Sequence, residues 1–205
     1  MYRHDITRAV LAQRIVGIIR TEDAATAVAA ATTMLGAGLR SIEITLTNRE
    51  ALDAIGELSR QHPDAVIGAG TVLDEASAVL AIRAGARFLV SPNLNPDVLR
   101  TARRYGVAAL PGAGSVTEIL RALEEGADAV KLFPATAFTP RWVSDVRAAL
   151  PQAPIVPTGG VSPTTAMAWL DAGAAACGIG SALTADSAQR AHARIVRLLA
   201  EAAGT

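Results

Sequence analysis

A single (β/α)8 barrel, one domain over residues 1–205, is the fold class predicted by three features of the sequence. Eight short apolar runs alternate with eight longer, alanine-rich stretches of helical period, and glycines stand where the helices should stop. Eight units in 205 residues give about 26 residues per unit, tight for this architecture but complete. The length suffices for one full hydrophobic core. A doubly wound open sheet is the competitor, and it usually needs fewer units.

The elements follow in order. Residues 5–14 predict a short extra N-terminal helix that plugs the closed end of the barrel. IVGIIR (15–20) is the first strand, an apolar, β-branched run of the kind that parallel strands covered by helices require. A helix near 23–37 ends at Gly38, where a left-handed cap is expected. SIEITL (41–46) leads to a helix near 49–61, and AVIGAGTV (65–72) to a helix near 74–85 with Gly85 at its end. RFLVSP (87–92) precedes a helix at 96–105 closed by Gly106. VAALPG (107–112) precedes a helix near 115–125, opened by Ser115 with Glu118 three residues on and closed by Gly126. AVKLFPA (129–135) and a helix at 140–149 form the sixth unit. PIVPTGGV (154–161) leads to a helix near 163–172, with Ser162 ahead of Pro163 as its start signal and Gly173 as its stop. AACGIGSAL (175–183) and a helix near 187–203 complete the set.

Composition excludes several classes of function. Lys+Arg and Asp+Glu both total 19, and a balanced charge argues against a nucleic-acid or membrane-surface partner. Three Phe, two Trp and two Tyr are too few for a base-stacking platform. The sole cysteine, Cys177, suits a reducing cytoplasm and reads as a small buried apolar residue. The first residues carry too many charges for a signal peptide, and no apolar stretch is long enough to span a bilayer. His4, His62 and His192 are scattered without ligand spacing, so no metal site is expected.

One residue resists a packing explanation. Lys131 sits between Val130 and Leu132 in a run that reads as a buried strand. An unpartnered buried ammonium costs several kcal/mol, and lysine answers by a lowered pKa. A neutral amine in a dry pocket is a nucleophile towards ketones. Alone, the residue fits a structural ion pair, or a strand end that reaches water, equally well. Glu43 lies between Ile42 and Ile44 on the second strand. If the isoleucines face the helices, alternation points Glu43 into the barrel, and the same parity points Lys131 there. An amine to form an imine and a carboxylate to move protons are the minimal kit for imine-based carbon–carbon cleavage, although a salt bridge would use the same pair.

In such barrels the chemistry sits at the carboxyl ends of the strands. Arg20 ends the first strand, where a guanidinium suits two-pronged binding of a carboxylate or phosphate, or simply caps the strand in solvent. Thr71 closes IGAGTV, in which Gly68 and Gly70 allow close approach of backbone to ligand or of helix to strand. The last two strands end in PTGGV and GIGS. Gly159, Gly160, Gly180 and Ser181 are therefore candidates for cradling a phosphate with backbone N–H groups.

With those residues in hand, the chain resembles the 2-keto-3-deoxy-6-phosphogluconate and 2-keto-3-deoxy-6-phosphogalactonate aldolases, a family of class I aldolase barrels. The match runs from about Ile15 to Leu183. It is carried by GIIR, GAGLRSIEITLTN, IGAGTVL, FLVSPNLNPDVL, VKLFPA, PTGGV and GIGSAL. The resemblance implies a Schiff base between Lys131 and pyruvate, Glu43 as acid and base, Arg20 and Thr71 at the keto-acid end, and the glycine loops on the phosphate. It also implies no cofactor, a small phosphorylated keto-acid substrate and a homotrimer. Some relatives carry arginine where Thr47 stands here; Arg20 takes the anion role in its place, and Arg49 is expected on the surface of the following helix. PTGGV leans towards the gluconate enzymes, whereas SPNLNPDVLRTARRYGV and FPATAFTP are similar to the galactonate ones. Cleavage of 4-hydroxy-2-oxoglutarate is a further alternative. A phosphosugar isomerase or epimerase barrel, and a barrel that only binds phosphorylated acids, need no amine in the sixth strand.

Overall fold

A computed structural model of the chain describes residues 2–204. It begins with α1 (Arg3–Ala12), followed by β1 (Ile15–Ile19), α2 (Ala24–Gly36), β2 (Ser41–Thr45), α3 (Ala51–Gln61), β3 (Val66–Gly70) and α4 (Glu75–Ala84). Next come β4 (Phe88–Val90), α5 (Pro96–Tyr105), β5 (Ala108–Leu110), β6 (Gly112–Ala113), α6 (Val116–Glu124), β7 (Val130–Leu132) and α7 (Pro140–Ala149). β8 (Ile155–Pro157), α8 (Ala166–Asp171), β9 (Cys177–Ile179) and α9 (Ala188–Ala203) end the chain.

The architecture is α/β with parallel pairing throughout. Six strands lie in the order β5-β4-β3-β2-β1-β9 and three in the order β6-β7-β8. β5 and β6 are two pieces of one expected strand. Pro111 lies between them and has no N–H for the ladder, so the run 107–112 divides there. Gly112 then passes so close to the Pro92 carbonyl that a Cβ would overlap it. At the other margin of the three-stranded sheet, Thr158, just after β8, makes a parallel bridge to Gly178 of β9.

Two apolar clusters separate by strand parity. Ile15, Ile19, Ile42, Ile44, Ile67, Val130, Leu132 and Ile155 pack under the helices. Val16, Val66, Phe88, Val90, Leu110 and Val156 meet on the opposite, inner face. Ile6 and Val10 of α1 join that inner cluster and cover its lower end, as expected of a plug; burying each contributes about 1.5–3 kcal/mol. α1 is fastened there by Asp128, whose carboxylate accepts from Arg3 Nε (2.9 Å), Thr7 Oγ1 (3.0 Å) and the Ala109 N–H (2.8 Å).

The stop signals hold. Gly38, Gly85, Gly106, Gly126 and Gly173 all have positive φ. Ser115 accepts from the Glu118 N–H at 3.3 Å, while Glu118 reaches back to the Gly114 N–H at 2.7 Å. One start signal fails: the helix expected from 163 begins at Ala166. The Ser162 hydroxyl bonds those of Thr164 and Thr165, and the Ser162 N–H donates to Thr165 Oγ1, so Ser162 forms a turn before the helix rather than its cap. No helix among the described residues is long and apolar enough to cross a membrane.

Candidate active site

Glu43 and Lys131 turn away from the helix-covered cluster that holds their neighbours Ile42, Ile44, Val130 and Leu132. They are 2% and 6% exposed, and both line a cavity of about 380 Å³ at the carboxyl ends of the strands. That volume suits a small molecule. Arg20 from the end of β1, Gly159 and Gly160 after β8, and Gly180 and Ser181 after β9 line it too. Thr71 does not. It follows β3 directly, half-buried, in left-handed backbone with φ 57°.

Burial raises the Glu43 carboxyl above its ordinary range, while the charges of Lys131 and Arg20 pull the other way without cancelling the effect. Glu43 Oε1 is buried and has no hydrogen-bond partner among the described residues. No ion pair joins Glu43 to Lys131 among them, which disfavours a purely structural salt bridge. Instead the Lys131 Nζ stands over the Phe133 ring, 4.9 Å from its centre, a cation–π geometry for the protonated form. Arg20 is exposed at the mouth and enters no ion pair among the described residues. A free guanidinium, an amine and a carboxyl thus face one small cavity.

The floor of the glycine loop is tied to the segment after β7. The Ala135 N–H donates to the Thr158 carbonyl (2.8 Å) and the Thr136 N–H to the Gly159 carbonyl (3.1 Å). Gly159 and Gly160 have φ 86° and 87°, a reversal that side chains would strain. Thr136, to which sequence assigns no function, packs its methyl into the space a Gly160 side chain would need.

Sequence reasoning passed over Thr158 and Phe133 as cavity residues. Both were within reach of the parity argument: Phe133 is two residues beyond Lys131, and Thr158 two beyond the inward-facing Val156. The Thr158 hydroxyl is buried and donates to the Val156 carbonyl at 3.2 Å. Thr21 and Thr184 also line the cavity, from loops whose course no periodicity reveals. Cys177 packs in the helix-covered cluster, and burial pushes its thiol up to about 12. Among the described residues no group of three or more His, Cys, Asp or Glu is arranged to hold a metal ion.

Comparison with known proteins agrees with this geometry. The family model for KDPG and KHG aldolase matches residues 6–198. A 2-dehydro-3-deoxy-6-phosphogalactonate aldolase from Escherichia coli is 38% identical over 152 residues, 73% of this chain and 74% of its own. A 2-dehydro-3-deoxy-phosphogluconate aldolase from Pseudoalteromonas atlantica is 34% identical over 178 residues, 86% of this chain and 83% of its own. Among solved structures, a native KDPGal structure superposes with TM-score 0.86 at 33% identity, covering 93% of this chain and 96% of the other. A KDPG aldolase from Legionella pneumophila, with pyruvate captured as a covalent carbinolamine, superposes with TM-score 0.83 at 27% identity over 95% of this chain and 96% of the other. By sequence and by fold, this chain belongs to the KDPG and KHG aldolase family.

Proposed function

We propose that the protein is a class I aldolase, a carbon–carbon lyase that cleaves 2-keto-3-deoxy-6-phosphogluconate to pyruvate and glyceraldehyde 3-phosphate through a Schiff base on Lys131. The observation that carries this reading is the burial of Lys131 and Glu43 in one cavity without an ion pair between them. The unprotonated amine attacks the C2 ketone to give a carbinolamine, and its hydroxyl leaves as water with a proton from the Glu43 carboxyl, forming a protonated imine and the Glu43 carboxylate. That cation accepts the electron pair of the C3–C4 bond. Glu43 takes the proton of the C4 hydroxyl, directly or through water, as the bond breaks and the aldehyde departs. It then returns a proton to C3 of the enamine, and hydrolysis of the imine frees pyruvate. The raised proton affinity of Glu43 suits a group that must both take and give a proton.

Arg20 is proposed to hold the substrate carboxylate, and Gly159, Gly160, Gly180 and Ser181 its phosphate. Two anion-binding groups lining the same cavity would hold both charged ends of the substrate and fix its ketone beside the amine. Thr71 is kept as a contact for the keto-acid end. Its support is its place next to Gly70 and its left-handed backbone, a conformation that clusters at functional sites. The eight units are read as closing into a full (β/α)8 barrel through the Pro111 junction and the Thr158–Gly178 bridge, in one domain. A homotrimer in the cytoplasm completes the proposal; a related structure is a cage built by fusing symmetric oligomeric domains.

Borohydride reduction in the presence of pyruvate tests the chemistry: a stable adduct on Lys131 is expected by mass spectrometry. Lys131→Met should abolish both the adduct and pyruvate release while the protein stays folded. A wild-type chain without an adduct would point to an isomerase or a binding protein instead. The galactonate epimer is the second reading, favoured by the Escherichia coli relative. The gluconate reading rests on the run PTGGV, whose Thr158 stands in the cavity wall. Cleavage rates on the two epimers and on 4-hydroxy-2-oxoglutarate, measured together, are expected to rank the gluconate substrate first; a tenfold preference for another would reassign it.

A further inference from the structure

β3 carries glycine at two successive inward positions where neighbouring strands carry side chains. Parallel pairing sets Glu43 opposite Gly68 and Thr45 opposite Gly70, all on the inner face. Each glycine leaves a notch. The notch at Gly68 is filled by the ring of Phe88, its partner on β4. The notch at Gly70 is filled by the Glu43 carboxyl. A Cβ built on Gly70 would overlap Oε1, and the three nearest atoms to it all belong to Glu43, with Cγ at 2.6 Å. Gly70 does not have positive φ, so its backbone would accept an L side chain. What excludes one is Glu43.

The geometry points to Gly70 as the residue that positions the Glu43 carboxyl: its missing side chain makes a slot against the β3 backbone, and that slot, in place of an ion pair, holds the carboxyl near the amine. The assignment rests on the reading of Glu43 as the proton carrier. Lys131 from β7 and Arg20 from the end of β1 are the titratable groups that face it, while the adjoining runs of β3 and β4, VIGAG and FLV, contribute none. Filling the slot drives the carboxyl off the β3 backbone into the cavity that Lys131 and Arg20 line, where it is less buried. There its ionised form is favoured.

The test is Gly70→Ala in the full chain. The kcat for cleavage should fall about 100-fold, because small displacements of reacting groups cost that much. KM should change less, the acid limb of the kcat–pH profile should move to lower pH, and borohydride should still trap pyruvate on Lys131. Urea unfolding supplies a readout independent of turnover. Gly70→Ala should lower the midpoint, or prevent folding, in the wild-type background and be nearly neutral beside Glu43→Ala. Wild-type kcat and acid limb in Gly70→Ala, or an equal loss of stability in both backgrounds, would overturn the assignment. If Glu43→Gln turns over normally, the catalytic reading of Glu43 fails and this one with it. If Glu43→Gln is inactive and Gly70→Ala is not, only the slot is wrong.

Discussion

Glu43 shows how a single side chain links stability to chemistry. Its folded proton affinity is raised by burial, from an ordinary value of 4.5. Between the unfolded and the folded pKa, the folded protein keeps a proton that the unfolded chain has released. Stability is therefore greatest below the unfolded value, declines as pH rises through this window and is level above the folded pKa. Glu43→Gln removes that slope. At neutral pH the variant should be more stable than the parent by about 1 kcal/mol, the gain typical of relieving a strained functional site. Its turnover should fall about 10²–10⁴-fold, the usual worth of a general acid–base group. Urea midpoints at a series of pH values, with and without the substitution, check both the sign and the window. At this scale the sequence was highly legible: the alternation around Ile42–Ile44 and Val130–Leu132 was enough to turn both reactive groups inwards. The vacancy at Gly70 was not, because a glycine in a strand reads equally as a site for helix packing or ligand approach.

Elements were read best where both ends carried a chemical signal. α5 has Asn95 accepting from the Asp97 N–H at its start, Pro96 in its first turn and Gly106 at its end, and its expected bounds match. α8 starts later than its signal implies because serine before proline also makes a turn, and only the bonds from the Ser162 hydroxyl to Thr164 and Thr165 distinguish the two. The helix stops differ in what a side chain would meet. Gly106, φ 72°, has nothing within 4 Å, so Gly106→Ala should cost only the left-handed backbone penalty of about 1–2 kcal/mol. Gly85, φ 115°, faces the Ser59 side chain at 2.8 Å, and Gly85→Ala should cost about 1–3 kcal/mol more through overpacking. Thermal unfolding of the two variants should show the larger fall in Tm for Gly85→Ala.

Across the whole molecule, Leu73, Leu80, Val116 and Leu120 remain large, apolar and exposed, between 41% and 53%. Such side chains lose their contact with water in an assembly, and the proposed trimer gives them a place to do so. Sedimentation velocity at micromolar concentration is expected to report three chains; a monomer that persists on concentration would remove the trimer from the proposal. The sequence by itself determined the alternation of strands and helices, the direction of Glu43 and Lys131 and the family resemblance, because side-chain direction is a local consequence of backbone period. Only the tertiary structure decided that Arg20, Glu43, Lys131 and the two glycine loops share one cavity while Thr71 stays outside its wall. It alone decided that the carboxyl rests in a notch at Gly70. Distances between strands are set by packing across the whole core, and no stretch of chain carries that information alone.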